Sequence, residues 1–157
     1  MKNYNDLIND ALPRVREIMP WDLADLLAQV KPPVVIDVRE PSEFAMGHIA
    51  NSINVPRGIL ESSCDWGFDD TLPFIAGNRS QTMVLVCRSG NRSVLAVDTL
   101  QQMGYTDVAS LKTGIRGWND FEQQLVDHAG FAQDIDVLED LLTSRVRPDQ
   151  MRPHNPK

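Results

Sequence analysis

The sequence predicts an α/β protein built on an open parallel sheet that is flanked by helices on both faces. Short apolar runs of strand length alternate along the chain with segments of helical periodicity, a pattern typical of strands joined by crossover helices. The run 34–38 is apolar along nearly its whole length, which indicates a strand buried on both faces. In such sheets ligands bind at the carboxyl ends of the strands, so the residues that follow each strand are the candidates for a site.

Periodicity and breaker residues place the individual elements. Helices are predicted where apolar residues recur every three or four positions, and proline or glycine marks the start or end of several of them. The predicted helices are 1–19 with a break at Pro13, 21–29, 41–46, 91–103, about 115–126, and 135–142. The predicted strands are 34–38, 52–55, 82–86 and 108–111, and 58–78 is predicted to be a loop with one or two short helices.

Composition excludes several classes of protein. The 157 residues are enough for one domain with a single core. The net charge of −7 argues against nucleic acid as the main partner, and no apolar run approaches the ~18 residues that a membrane span needs. The first ten residues lack the apolar core of a secretion signal. We therefore expect a cytoplasmic protein whose two cysteines, Cys64 and Cys87, are free thiols.

The segment 82–93 gives the strongest indication of function. Its apolar run ends at Val86, and Cys87 follows as the first residue of a short basic loop. A helical segment begins directly after that loop. Backbone N–H groups gather at such a junction, where the helix dipole also favours negative charge. Arg88 and Arg92 add positive charge, so we expect Cys87 to be largely a thiolate at neutral pH and to act as a nucleophile.

Four motifs stand in order along the chain. They are Val34-Val35-Ile36-Asp37-Val38-Arg39-Glu40 with Glu43-Phe44 and Gly47-His48-Ile49, then Ile53-Asn54-Val55-Pro56, then Cys87-Arg88-Ser89-Gly90-Asn91-Arg92-Ser93, and last Leu111-Lys112-Thr113-Gly114-Ile115-Arg116-Gly117-Trp118. Together they resemble the signatures of the rhodanese family of sulfurtransferases, and 87–93 closely resembles the active-site loop of its single-domain, thiosulfate-type members. No single motif is specific, but their order makes the combination specific over about residues 19–121.

The resemblance implies an organisation for the whole chain. It implies a five-stranded open parallel sheet flanked by helices on both faces, with extra helical segments at the N- and C-terminal ends. We expect an N-terminal helical extension in 1–19, a rhodanese-like domain in 20–126, and a C-terminal helix with an extended basic tail in 127–157. The tail, 145–157, holds three prolines and four basic residues.

The resemblance also implies a reaction. Cys87 would take a sulfane sulfur from a thiosulfate-like anion or a persulfide donor, and would carry it as a persulfide. A thiophilic acceptor, such as cyanide, a small thiol or a sulfur-accepting protein, would then remove that sulfur. No metal or organic cofactor is implied. The residues expected to bind the substrate are Arg88, Ser89, Gly90, Asn91, Arg92 and Ser93.

Two alternatives to a catalytic sulfurtransferase remain open. The first is a non-catalytic sulfur-relay or partner-binding module, suggested by the added C-terminal helix and the basic tail after Arg145. The second, less favoured, is a cysteine-dependent phosphatase. Such phosphatases place five residues between the cysteine and an arginine, whereas only four separate Cys87 from Arg92, and the smaller ring suits a sulfur atom better than a phosphoryl group.

Several other residues have open roles. Asp37 and Arg39 are candidates for the pocket rim. A role in an ion pair with Glu43, or as an anchor of the loop, is at least as well supported by the sequence. Arg57 and Arg116 are further rim candidates that could equally be solvated.

Two turns depart from the family pattern, and two further side chains are expected to be structural or incidental. The chain has Thr113-Gly114 where the family usually has two glycines, and 50–52 replaces a common Pro-Gly-Ala. We expect these changes to affect turns rather than chemistry. His48 is expected to be structural, and Cys64 is favoured as an incidental thiol over a resolving cysteine.

Overall fold

A computed structural model of the protein describes residues 1–153. It contains one five-stranded sheet in which every neighbouring pair of strands is parallel, in the order β1-β5-β4-β2-β3. The predicted fold class is therefore confirmed. The strands are β1 (Glu17–Ile18), β2 (Val34–Asp37), β3 (Ile53–Asn54), β4 (Met83–Val86) and β5 (Val108–Leu111).

Eight α-helices connect and flank the strands. Three short 3-10 turns, at Leu12–Arg14, Arg57–Ile59 and Pro148–Gln150, complete the regular structure of the described residues. The segment 58–78 holds two four-residue helices, as predicted. The helices are α1 (Tyr4–Ala11), α2 (Pro20–Leu27), α3 (Pro41–Met46), α4 (Leu60–Ser63), α5 (Pro73–Ala76), α6 (Asn91–Gln102), α7 (Gly114–Asp120) and α8 (Ile135–Leu142).

Strand β4 shows how the sheet divides the core. Its alternating side chains point to opposite faces: Met83 and Leu85 belong to the cluster covered by α4, α5 and α6, whereas Val84 and Val86 belong to the cluster covered by α2, α7 and α8. All four side chains are buried, which explains why the sequence reads as continuously apolar. The same alternation places Cys87 on the α6 face.

Two predicted helices are shorter than their periodicity suggested. The prediction of a helix over 1–19 was wrong after residue 14, because the chain turns at Pro13 and then adds β1 to the edge of β5. The prediction for 115–126 was wrong after Asp120. There Glu122 has a left-handed φ of 57°, and Val126 forms isolated bridges to His48 and Ala132. In both segments, pairing with a distant strand or loop replaced helical hydrogen bonds.

The C-terminal helix α8 is docked as expected. Its Leu138 and Leu142 are buried in the core cluster beside α7. The chain beyond it is extended up to the 3-10 turn at Pro148–Gln150, and the last part of the predicted extended tail, 154–157, lies outside the described residues. None of the helices in 1–153 has the length and apolarity that a membrane crossing requires.

A buried ion pair holds the loop after β2. The Asp37 carboxylate accepts hydrogen bonds from the backbone N–H and the guanidinium of Arg39, at 2.8–3.1 Å, and these two side chains are 0% and 1% exposed. Arg39 also donates to the Gly47 carbonyl at 2.8 Å. Asn54 donates to the Asp37 and Arg39 carbonyls, so one network joins β2, α3 and β3.

We predict that Arg39→Ala lowers the free energy of unfolding by about 3–5 kcal/mol, because it leaves the Asp37 carboxylate buried without its cation. The matched control is Arg16→Ala, which removes an exposed ion pair with Asp107 and is expected to cost less than about 1 kcal/mol. Urea denaturation of both variants measures the difference. Equal losses would contradict the anchoring role of Arg39.

Candidate active site

The cysteine loop lies between β4 and α6. Cys87 follows the last residue of β4 and is 1% exposed. The chain then reverses at Gly90, whose φ of 99° is in the left-handed region that glycine adopts without strain, and α6 begins at Asn91. The predicted position of the thiol, between a strand end and a helix start, is therefore confirmed.

Backbone donors converge on the sulfur atom. The Cys87 Sγ accepts hydrogen bonds from the N–H of Gly90 at 3.1 Å and from the N–H of Ser93 at 3.4 Å, with the Ser93 hydroxyl also at 3.4 Å. The Ser93 Oγ in turn lies 3.1 Å from the Gly90 carbonyl and 2.7 Å from the Ser110 Oγ on β5. These contacts surround the sulfur atom with hydrogen-bond donors and hold the loop in a ring around it.

The first turn of α7 packs directly against this loop. The N–H groups of Ile115 and Arg116 donate to the carbonyls of Cys87 and Arg88 at 2.8 and 2.9 Å. A Cβ at Gly114 would lie 2.4 Å from the Cys87 carbonyl oxygen, so only glycine permits this approach. The last motif thus positions the cysteine loop through backbone contacts.

Arg92 is held by an acidic partner on α3. Its guanidinium forms two hydrogen bonds with the Glu43 carboxylate, at 2.8 and 2.9 Å, and both side chains are partly buried. The hydrogen bond from Arg92 holds the pKa of Glu43 below its ordinary value, although burial opposes the shift. The sequence had suggested that Glu43 forms an ion pair in the region of Asp37 and Arg39 instead, whereas Arg39 pairs with Asp37. The substrate-binding role of Arg92 stays a prediction, and its charge is shared with Glu43.

Arg88 is the cation of the loop that remains available. Its side chain is half-buried, and it forms no salt bridge with any residue of the described part of the chain. It borders a groove of about 420 Å³ that is also lined by Asp140, Leu141, Thr143 and Arg145. The C-terminal helix α8 and the chain after it therefore border one side of the cysteine loop.

On the other side of the loop lies the N-terminal helix. Ser89 and Asn91 are exposed, and together with Gly90 they line a groove of about 300 Å³ with Ile8 of α1 and Leu12, the residue that follows α1. The seven predicted residues of the cysteine loop, 87–93, thus lie between the N-terminal helix α1 and the C-terminal helix α8. Their roles in substrate binding stay predictions.

The four predicted rim residues are placed differently. Asp37 and Arg39 are buried in the network after β2, so they do not line an open rim and fit the loop-anchor interpretation. Arg57 binds Glu61 at 2.8 Å and Thr99 at 3.2 Å, away from the start of α6. The Arg116 side chain is exposed, and its backbone N–H donates to the Arg88 carbonyl.

Cys64 and His48 have structural surroundings. Cys64 is buried in the core on the α6 face, and burial raises the pKa of its thiol to about 11. His48 Nδ1 lies 2.9 Å from the Phe44 carbonyl, and the two rings stack at 3.7 Å. These contacts fit the incidental and structural roles expected for the two side chains.

Sequence reasoning missed two side chains near the loop. Ser110 was read only as part of an apolar strand. Tyr4 is half-exposed on α1, and its pKa is raised by partial burial and by the neighbouring Cys87, while Arg92 and Arg88 oppose the increase. No local signal identified either residue, because both reach the loop only through packing between elements that are distant in the chain.

The family model for the Rhodanese-like domain matches residues 20–121. The chain therefore belongs to the rhodanese-like domain family, as its four motifs indicated. A putative mitochondrial thiosulfate sulfurtransferase of Schizosaccharomyces pombe is 38% identical over 93 residues, which cover 57% of this chain and 66% of that protein. A sulfurtransferase of Allochromatium vinosum is 31% identical over 104 residues, which cover 66% of this chain and 88% of that protein.

Solved structures share the same architecture. A Rhodopseudomonas palustris protein of unknown function, described as a possible tyrosine phosphatase, has a TM-score of 0.71 at 26% sequence identity and covers 78% of this chain and 93% of that one. A rhodanese-related protein of Thermoplasma volcanium has a TM-score of 0.58 at 32% identity and covers 71% of this chain and 97% of that one. Both similarities agree with the sheet and helix arrangement described above.

We predict that Gly114→Ala lowers the free energy of unfolding by about 3 kcal/mol, because its methyl group would overlap the Cys87 and Arg88 backbone in addition to adopting a left-handed φ. Gly67→Ala is the matched control. Its φ is 91° and a Cβ there meets nothing within 4 Å, so it is expected to cost only about 1 kcal/mol. Chemical denaturation compares the two. A similar cost for both would refute the close approach.

Thr113, next to Gly114, departs from the family pattern and leads to a second prediction for this turn. Thr113 has a φ of 69°, a conformation that is strained for a β-branched residue. We expect Thr113→Gly to raise the free energy of unfolding by about 1 kcal/mol, since relief of this strain outweighs the added flexibility of the unfolded chain. An increased urea midpoint is the expected result. A decreased midpoint would show that the Thr113 side chain stabilises the turn.

Proposed function

We propose that this protein is a sulfurtransferase that carries sulfur on Cys87. The observation that supports this most directly is the Sγ atom held by the N–H groups of Gly90 and Ser93, at the carboxyl end of β4. The curated relatives named as sulfurtransferases support the same class of reaction. Under this proposal the domain 20–126 holds the reaction centre, and the segment 1–19 and the described part of the segment 127–157 border it.

The proposed reaction proceeds by two displacements. The Cys87 thiolate attacks the outer sulfur of thiosulfate and forms a new S–S bond. The original S–S bond breaks, its electron pair leaves on sulfite, and Cys87 becomes a persulfide anion. Cyanide or a thiolate then attacks the outer sulfur and takes it as thiocyanate or a new persulfide, which returns the Cys87 thiolate. The loop N–H groups stabilise the negative charge at each stage.

Thiosulfate as the donor and cytoplasm as the location are parts of this proposal. An anionic donor fits Arg88, which follows Cys87 in the chain and forms no salt bridge within residues 1–153. The two free, buried cysteines fit a reducing compartment, whereas the Schizosaccharomyces pombe relative is named as mitochondrial.

Sulfur relay to a protein is the second candidate, and one observation favours it. The groove beside Arg88 is lined by α8 and the chain that follows it, where a protein acceptor would have to approach. A relay protein would retain the persulfide and turn over small acceptors poorly. Phosphate-ester hydrolysis is less favoured because the loop spans only four residues between Cys87 and Arg92.

We predict that Cys87→Ser abolishes thiocyanate formation from thiosulfate and cyanide, because a serine hydroxyl cannot carry the sulfane sulfur. Cys64→Ser, the matched control for the other buried cysteine, is expected to retain activity. Mass spectrometry of the wild-type protein after thiosulfate treatment should show a gain of about 32 Da, one sulfur atom, on Cys87.

Three outcomes separate the candidates. Thiocyanate formation that survives Cys87→Ser would refute the mechanism. A stable sulfur adduct on Cys87 with slow turnover of cyanide would favour the relay. Cys87-dependent hydrolysis of p-nitrophenyl phosphate without any sulfur adduct would favour the phosphatase.

A further inference from the structure

The N-terminal helix α1 runs in the same direction as α6 and brings its first residues to the cysteine loop. Ile8 and Ala11 pack against Val94, in the first turn of α6. Beyond the carboxyl end of α1, Arg14 binds Asp98 at 2.8 and 3.0 Å, one turn further along α6. The opposite end of α1 therefore lies beside the start of α6, where the loop joins it.

Tyr4 is the α1 residue that this orientation directs to the loop. It lies four positions before Ile8 and so occupies the same face of the helix, one turn nearer to the loop. The start of the helix is fixed by a capping box between Asn3 and Asp6. Partial burial and the nearby Cys87 raise the pKa of the Tyr4 phenol, and the nearby Arg92 and Arg88 lower it, in agreement with this placement.

The chemistry of an anionic donor calls for a group in this position. When the Cys87 Sγ faces the outer sulfur of thiosulfate, the sulfonate oxygens lie on the far side of that sulfur, away from the thiol. The N–H groups of Gly90 and Ser93 are directed at the Sγ, and Arg92 is engaged by Glu43. The side chains free to bind the sulfonate at the outer side of the loop include Arg88 and Tyr4.

We propose that the Tyr4 hydroxyl donates a hydrogen bond to a sulfonate oxygen of the donor, beside Arg88, and so makes the site selective for thiosulfate-like anions. Tyr4 is then a specificity-determining residue supplied from outside the matched family region, 20–121. This inference rests on the proposed sulfur transfer. It assigns Tyr4 to donor binding and gives it no part in the attack of the acceptor.

The test is Tyr4→Phe, which removes only the hydroxyl and keeps the ring on the helix. Because the variant loses a hydrogen bond to a charged group, we expect its KM for thiosulfate to rise about tenfold or more. The kcat, the KM for cyanide and the melting temperature are expected to stay near the wild-type values. A persulfide donor, which has no sulfonate group, should react with the variant and the wild-type protein equally.

Two control variants accompany the test. Tyr105→Phe removes the other tyrosine hydroxyl of the chain, which donates to the carbonyls of Cys64 and Ile75 in the core. It is expected to lower stability without raising the KM for thiosulfate. Asn9→Ala changes an exposed α1 residue well around the helix from Tyr4, and it should leave both the KM and the melting temperature unchanged.

The outcomes separate this inference from the proposed function. An unchanged KM for thiosulfate in Tyr4→Phe, with normal sulfur loading of Cys87, overturns the role of Tyr4 alone. Equal loss of reaction with thiosulfate and with the persulfide donor also overturns it, because the effect would then be structural. Failure of the wild-type protein to load sulfur from either donor overturns the proposed function and this inference together.

Discussion

The close approach between the cysteine loop and the turn that opens α7 is the constraint on which the site depends. The carbonyls of Cys87 and Arg88 are engaged by the N–H groups of Ile115 and Arg116, and this contact requires that Gly114 have no side chain. With their carbonyls turned to α7, the loop residues can curl around the sulfur atom. The ring of donors is therefore built by backbone geometry, and the side chains only tune it.

Ion pairs decide which of the basic residues remain available to a ligand. The guanidinium of Arg39 is buried with Asp37, that of Arg92 is bound by Glu43, and that of Arg57 is bound by Glu61. The first two pairs hold the loops around α3, and the third lies on the surface beside α6. Arg88 is consequently the loop cation best placed to meet an incoming anion, although nothing in its residue type distinguishes it from Arg92.

The segments outside the matched region 20–121 surround the cysteine loop. Helix α1 and the residue after it contribute Ile8 and Leu12 to the groove beside Ser89, and α8 with the chain after it lines the groove beside Arg88. The family core thus supplies the nucleophile and its cradle, while the added segments shape the approach to it.

The sequence by itself determined the sheet strands β2, β4 and β5, the helix α6, and the place of Cys87 between β4 and α6. Each depends on apolar periodicity and turn residues that lie within a few positions of one another. Only the tertiary structure decided the two-residue edge strand β1, the Arg92–Glu43 pair and the position of Tyr4. Those features depend on partners that are distant in the chain and are brought together by packing, and a local pattern carries no record of such partners.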